Sequence, residues 1–391
     1  IEQELVKEGV KIADILKLCD LHVEMFREFL KSRELKGVPK GHPIDLLMKE
    51  NEFILKQAEL LGIYTRALLS SKNIEETRKH LETIRKILDE LKKVKMHYRK
   101  VQMLIFPYLE RRGIIAVPRV LWGREDKVIV KIREAYELLN KAISGDKKYV
   151  KELANKVMEI GKEISELVFR ENKILYPATW VLISEGEWAL INEIGKEIGY
   201  IVKVDTVWKP KAKPILPYEI ESVITSEQVE KLPREFKSMA LTTLTPDTYK
   251  IRKSGDLDLE TGFLNVKELK AIFKTLPIEI TYANADDRVK FFTQTKFHKG
   301  FTRTKTIIGR KIEFCHPPRL EGFVKMNVNM LKKGAFEHRE FWTKAGDRII
   351  RVIIASVKGE NGEYLGTLEI VEDLTDVINN AEDIKKKILV L

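Results

Sequence analysis

A chain of 391 residues with 44% hydrophobic and 33% charged content is long enough for about two or three domains with sizeable cores. No apolar run approaches the roughly 18 residues a membrane span requires, and no charged-then-apolar leader opens the chain, so a soluble cytoplasmic protein with no membrane partner is expected. The net charge of +11 is a weak pointer to nucleic acid. Its Lys and Arg are interleaved with Glu at helical spacing, as in TRKHLETIRKILDELKK, which reads as solvated helix faces, so no nucleic-acid partner is expected.

The densest basic cluster, Lys296, His298, Lys299, Arg303, Lys305, Arg310 and Lys311, lies in no helix-turn-helix or other reader context. Two cysteines far apart, Cys19 and Cys315, exclude a disulfide framework and a CxxC site. High Lys, Glu and Ile with few Gln fits the composition of a hyperthermophile. The chain opens on Ile1 rather than Met, which leaves room for residues upstream.

Residues 1–36 carry two short helical patterns. Cys19 and His22 share a face there at i and i+3, where a packed Cys and a surface His are the plain reading. After the loop KGVPKG, His42-Pro43 opens a helix with Pro at a tolerated first-turn position. Ile44, Leu47, Met48, Ile54 and Leu61 form its stripe, and Glu50 follows His42 by about two turns, on the same face. The next helix is expected from about Ile74 to Leu109, with Leu81, Ile84, Leu88, Leu91, Val94, Tyr98, Val101 and Ile105 as a bundle seam that turns His97 inward. A third begins near Pro118 and Trp122, a fourth covers about Lys147 to Leu175, and a short helix from Trp188 to Ile201 closes the region.

Two of these stretches are copies of one pattern. KKVKMHYRKVQMLIFPYLERRG (92–113) and SELVFRENKILYPATW (165–180) align through Leu104–Pro107 and Ile174–Pro177. Each is an amphipathic helix with an inward polar patch, reaching an aromatic-Pro pair expected to kink or end it. Facing copies imply an antiparallel bundle, and bundles build their sites from inward side chains. His97 falls opposite Leu167 and Val101 opposite Glu171, so each copy keeps a different half of a polar pair.

LCDLH, GHPIDLLMKEN, HYRKVQMLIFPYLERRGI, PRVLWGREDK and FRENKILYP together resemble the hemerythrin-like cation-binding domain as it occurs behind a small N-terminal domain of unknown function. The resemblance spans nearly all of residues 1–200 and implies an all-α four-helix bundle with non-haem iron held by inward His and carboxylates. It places metal ligands at His42, His97 and Glu171, to which Glu50, on the His42 face, adds a candidate carboxylate. It also sets Val101 where a carboxylate is expected, Arg124 at the third-helix His, and Leu167 at the fourth-helix His. About six protein ligands serve a di-iron site in such bundles, and about three remain here. A single ion on His42, His97, Glu171 and Glu50 is one expectation. The favoured one is a degenerate site in which the Arg124 guanidinium neutralises Glu171.

Residues 203–260 read as a Pro- and Lys-rich extended connector, TVWKPKAKPILPYE, followed by short ordered pieces. From Thr261 the period changes. TGFLNVKELKAIFKTLP is an amphipathic helix, IEITYANADDRVKFF a hairpin turning at Asn284–Asp287, and EHREFWTKAGDRIIRVIIASVKGENGEYLGTLEIVEDLT three strands. This α+β pattern resembles a PAS domain over residues 261–378, with a helical tail at 379–391. The resemblance implies a fold able to hold haem, flavin or a small ligand. Cys315 and His316 are the candidate cofactor residues, although Pro317 and Pro318 set them in a loop at a helix start, where capping or packing is the alternative.

The expectation is thus a multidomain intracellular sensor, not an enzyme: no P-loop, GxSxG or GxGxxG in context occurs. It would signal through a protein partner or as a homodimer, using the PAS sheet edge and Val377, Ile378, Ile384 and Ile388. An iron-binding oxygen, redox or iron-handling protein is the alternative.

Overall fold

The computed structural model describes residues 24, 27, 28, 30–143, 146–221, 223–233, 244–295 and 301–388. Cys19, His22, Lys296, His298 and Lys299 lie outside them. The chain divides into two units, Ile1–Lys250 and Ile251–Leu391, and no helix among the described residues is long and apolar enough to cross a membrane.

In the first unit α1, Pro43–Leu69, begins at His42, whose Nδ1 accepts the Ile44 N–H at 3.2 Å. Pro43 has no N–H to leave unpaired there, and Ile44, Leu47, Ile54, Leu61 and Leu68 are buried along one stripe. Helix α2, Ile74–Leu91, starts under Asn73, whose side chain accepts the Glu76 N–H. Helices α3, Val94–Lys100, and α4, Phe106–Arg111, carry the first aromatic-Pro copy. Helices α5, Ala116–Ala142, α6, Lys147–Arg170, and α7, Tyr176–Leu182, carry the rest of the bundle. Helix α5 packs on α6, α1 on both α6 and α2, and α2 on α5. Their inward Leu, Ile and Val residues form one core.

Neither aromatic-Pro pair ends its helix. Val101–Ile105 and Glu171–Leu175 are single π turns, and the helix continues beyond each. The residue before each proline, Phe106 or Tyr176, bonds five residues back, to the Val101 or Glu171 carbonyl. Widening the turn accommodates a proline that can donate nothing, instead of breaking the helix.

Helix α8, Glu185–Ile198, starts in a capping box between Ser184 and Glu187. Glu187 also takes both ends of the Arg112 guanidinium, at 2.8 and 3.0 Å, which fixes α8 on α4. The chain then leaves along the bundle surface. Ile215 N–H bonds the Gly186 carbonyl, and Tyr108 Oη–H the Ile215 carbonyl.

Gly41, at φ +78°, is where this outgoing chain comes closest: a Cβ there would lie 2.2 Å from the Thr206 carbonyl oxygen. Gly41→Ala combines a left-handed backbone with that overlap, and thermal unfolding is expected to show a loss of about 2 kcal/mol or more.

Helix α9, Ser226–Lys231, belongs to the first unit and packs on α7. In the second unit α10, Val266–Thr275, follows the small β1–β2 pair (Leu257–Asp258, Phe263–Leu264). The main sheet is antiparallel, in the order β4-β3-β7-β6-β5. Its strands are β3 Glu279–Asn284, β4 Val289–Phe292, β5 His338–Ala345, β6 Arg348–Lys358 and β7 Tyr364–Asp373. Helix α11, Pro318–Lys332, packs on β6 and β7 and buries Val328 and Leu331. Short helices α12, Thr375–Asn379, and α13, Ala381–Lys386, end the described chain, with Val377, Ile378, Ile384 and Ile388 exposed.

Candidate functional site

His97 is completely buried at the centre of the bundle. Its Nδ1 lies 2.8 Å from Glu50 Oε2 and its Nε2 lies 2.9 Å from Glu171 Oε2. A ring with a carboxylate against each nitrogen carries hydrogen on both, because a bare lone pair facing carboxylate oxygen is repulsive. Burial opposes charge on the ring, but Glu171 and Glu50 override it and raise the pKa to about 9. The core therefore holds an imidazolium between two carboxylates.

Each carboxylate has further donors. Glu171 Oε2 also accepts from Asn51 Nδ2 and from the Tyr176 hydroxyl, both at 2.8 Å. Tyr176 reaches it because the π turn sets residues five apart over one another. Glu50 Oε1 meets the Lys100 ammonium at 3.0 Å and accepts the Ile201 N–H at 2.9 Å. Burial pushes the Glu50 carboxyl up, yet His97, Lys100 and the Ile201 amide together hold it below the usual range. Two carboxylates thus face two cations.

One more acid enters the core. Glu125 on α5 is fully buried and accepts from Gln102 Nε2 at 2.6 Å. Burial and then the nearby Glu171 charge raise its pKa to about 8, which leaves it protonated at neutral pH. Glu125 Oε1 and Glu171 Oε1 are buried without a hydrogen-bond partner.

The structure brings His97, Glu50 and Glu171 together and sets His42 elsewhere. His42 caps α1 inside a cage of Trp180, Trp188 and Trp208, ring centroids 5.2, 4.8 and 4.5 Å away. Burial there lowers its pKa to about 4, so the ring is neutral. With Nδ1 accepting the Ile44 amide, the ring hydrogen sits on Nε2, which is buried without a hydrogen-bond partner.

The expected Arg124–Glu171 pair is not formed. Arg124 Nη1 goes to Glu163 Oε2 at 3.2 Å, because the inward face of α5 runs through Leu121, Glu125, Val128 and Ile132. Glu125, one residue on, occupies the inward place assigned to Arg124. The step from Leu121 to Val128 contained that signal. Lys100 had none, since it stands between inward and outward positions and reaches the core through its long stem.

A metal ion on His97 requires a bare ring nitrogen, and both are committed to carboxylates. Lys100 already supplies a second positive charge. This donor set fits protons and an ammonium rather than a metal ion. No group of three or more His, Cys, Asp or Glu arranged to hold a metal occurs among the described residues.

In the second unit Arg303 lies across β3 and β7, with Nε donating to Thr281 Oγ1 at 2.7 Å, one Nη to Glu279 and the other to Glu369 Oε1 at 2.7 Å. Cys315 is exposed and ends a 3₁₀ turn, Ile312–Cys315. His316 Nδ1–H donates to the Ile312 carbonyl at 2.9 Å, immediately before Pro317 and Pro318 start α11.

The helical bundle with its inward His–carboxylate centre is hemerythrin-like, and the five-stranded antiparallel sheet with a helix packed on it is PAS-like. Residues 42–179 match the family model of the hemerythrin HHE cation binding domain and residues 269–375 that of the PAS domain. Residues 1–32 match a family of unknown function. A comparison with curated proteins finds no significant match.

Among solved structures, the C-terminal domain of a protein from Streptococcus mutans is similar at 27% identity, TM-score 0.30, over 33% of this chain and 98% of that one. The PAS domain of a Colwellia psychrerythraea protein is similar at 17% identity, TM-score 0.23, over 28% and 98%. A sensory box sensor histidine kinase from Vibrio cholerae is similar at 12% identity, TM-score 0.21, over 27% and 88%.

Proposed function

We propose that this is a sensory or regulatory protein in which a hemerythrin-like bundle without a working metal centre is coupled to a PAS domain. It signals by contact with a protein partner or a second copy and catalyses no reaction. The pairing of the two domains supports the sensory role. The observation that carries the metal-free reading is His97, whose two ring nitrogens each face a carboxylate while Lys100 balances the second charge.

The competing reading, iron held in the bundle, draws on the two bare oxygens of Glu125 and Glu171. Metal content discriminates. Protein made in iron-supplemented medium is expected to contain far less than one iron per chain, and about one iron per chain, lost in His97→Ala, establishes the competitor. For the signalling mode, light scattering across concentrations and pull-down from the native host are expected to reveal a dimer or a captured protein. A monomer at every concentration with nothing captured defeats it.

A further inference from the structure

We propose that Glu50 is a coupling residue that ties the arrangement of the buried His97–Glu171 cluster to the chain leaving the bundle at Gly199–Ile201. This rests on reading the bundle as a sensory module and adds how its core reports outward.

Glu50 is completely buried, and its two oxygens face opposite ways in function. Oε2 belongs to the cluster, 2.8 Å from His97 Nδ1. Oε1 belongs to the exit, accepting the Ile201 amide at 2.9 Å. Lys100 closes the knot: its ammonium lies 3.0 Å from the same Oε1 and donates to the Gly199 carbonyl at 2.7 Å. The exit turn is thus held by one carboxylate and one ammonium from the bundle core.

The turn is also closed by the Gly199 N–H on the Gly195 carbonyl at 3.0 Å. Gly199 ends α8 at φ +89°, ψ 167°, a conformation open to glycine and costly for other residues. Tyr200 folds back over the Lys100 ammonium, 4.9 Å from its ring, and its hydroxyl occupies the space that a Cβ on Gly195 would need. A carboxylate is a rigid fork, so a shift of Oε2 with His97 rotates Oε1 against Ile201 and Lys100. Seven residues after Ile201, the same helix α1 holds the outgoing chain again, where Trp208 packs on His42 and the Thr206 carbonyl sits on Gly41. A change at the core therefore acts on a segment anchored at both ends to α1.

The test is amide hydrogen exchange on the full chain, read at Ile201. His97→Gln, which removes the charge that holds Oε2, is compared with Leu139→Ala, a core variant that lowers stability without touching the cluster. The expected result is exchange at Ile201 faster in His97→Gln by about tenfold or more than in Leu139→Ala at matched stability, while amides in the middle of α6 behave alike in both. Exchange at Ile201 within about twofold of Leu139→Ala overturns the proposal. Should His97→Gln not fold, Tyr176→Phe takes its place, removing one donor from Glu171. An acceleration at Ile201 of about threefold is then expected, and none overturns the proposal. Iron content and partner capture are independent of this readout, so failure of the coupling and failure of the sensory reading are told apart.

Discussion

His97→Leu is expected to lower the free energy of unfolding by about 3 to 5 kcal/mol, the range for removing one member of a buried ion cluster. The substitution leaves Glu171 fully desolvated, with Asn51 and the Tyr176 hydroxyl as donors and no cation. Glu50 fares better, since it keeps Lys100 and the Ile201 amide. Most of the damage therefore falls on Glu171, and Glu171→Gln added to His97→Leu is expected to recover part of the loss. Urea unfolding at neutral pH measures both. A loss below about 1 kcal/mol for the single change would mean that the pairing is worth no more than a surface contact.

Stability should also fall on the alkaline side of neutrality, for two separate protons held in the core. His97 has a folded pKa of about 9 against an ordinary 6.5, so its contribution is fully present below 6.5 and lost as pH rises through 9. Glu125 has a folded pKa of about 8 against an ordinary 4.5, so the native state again binds the extra proton, and its contribution is lost as pH rises from 4.5 through 8. Between about pH 7 and 8 both act together, and the slope is expected to approach 2 to 3 kcal/mol per pH unit.

His42 works in the other direction. Its folded pKa of about 4 lies below the ordinary 6.5, so its contribution is present above 6.5 and lost as pH falls through 4. Glu50, also held low, adds to that acid limb. Unfolding free energies across this range should form a dome with a steep alkaline side, and Glu125→Gln should make that side shallower by about one proton.

Much of this was legible in the chain. The strand pairs and their turns at 345–347 and 360–362 follow from alternation and Gly placement, and the inward direction of His97 follows from Val94 and Val101 one turn to either side. The aligned copies set His97 opposite Leu167 and Glu171 opposite Val101, and it was the hemerythrin-like resemblance that named His97 and Glu171 as members of one site. The π turns were not legible: a proline predicts a lost hydrogen bond, and whether the helix breaks or widens depends on the packing around it.

His42 shows a second limit. Eight residues do place it on the Glu50 face, but it stands at the cap, where the backbone is already extended and three tryptophans from separate segments enclose it. Such an assembly has no local signature. Arg124 and Glu125 differ by one position, and a one-residue error in helix phase is about 100°, enough to exchange a residue on the bundle axis for one bound to Glu163.

The central claim is that His97 is a buried imidazolium shared by Glu50 and Glu171, and nitrogen NMR of histidine-labelled protein tests it most directly. The His97 signals are assigned by their loss in His97→Gln among the seven histidines. Both of its ring nitrogens should carry hydrogen at neutral pH and stay protonated until the pH approaches about 9. A His97 ring with one bare nitrogen at neutral pH, or one whose signals are shifted by a bound metal ion, would contradict the account.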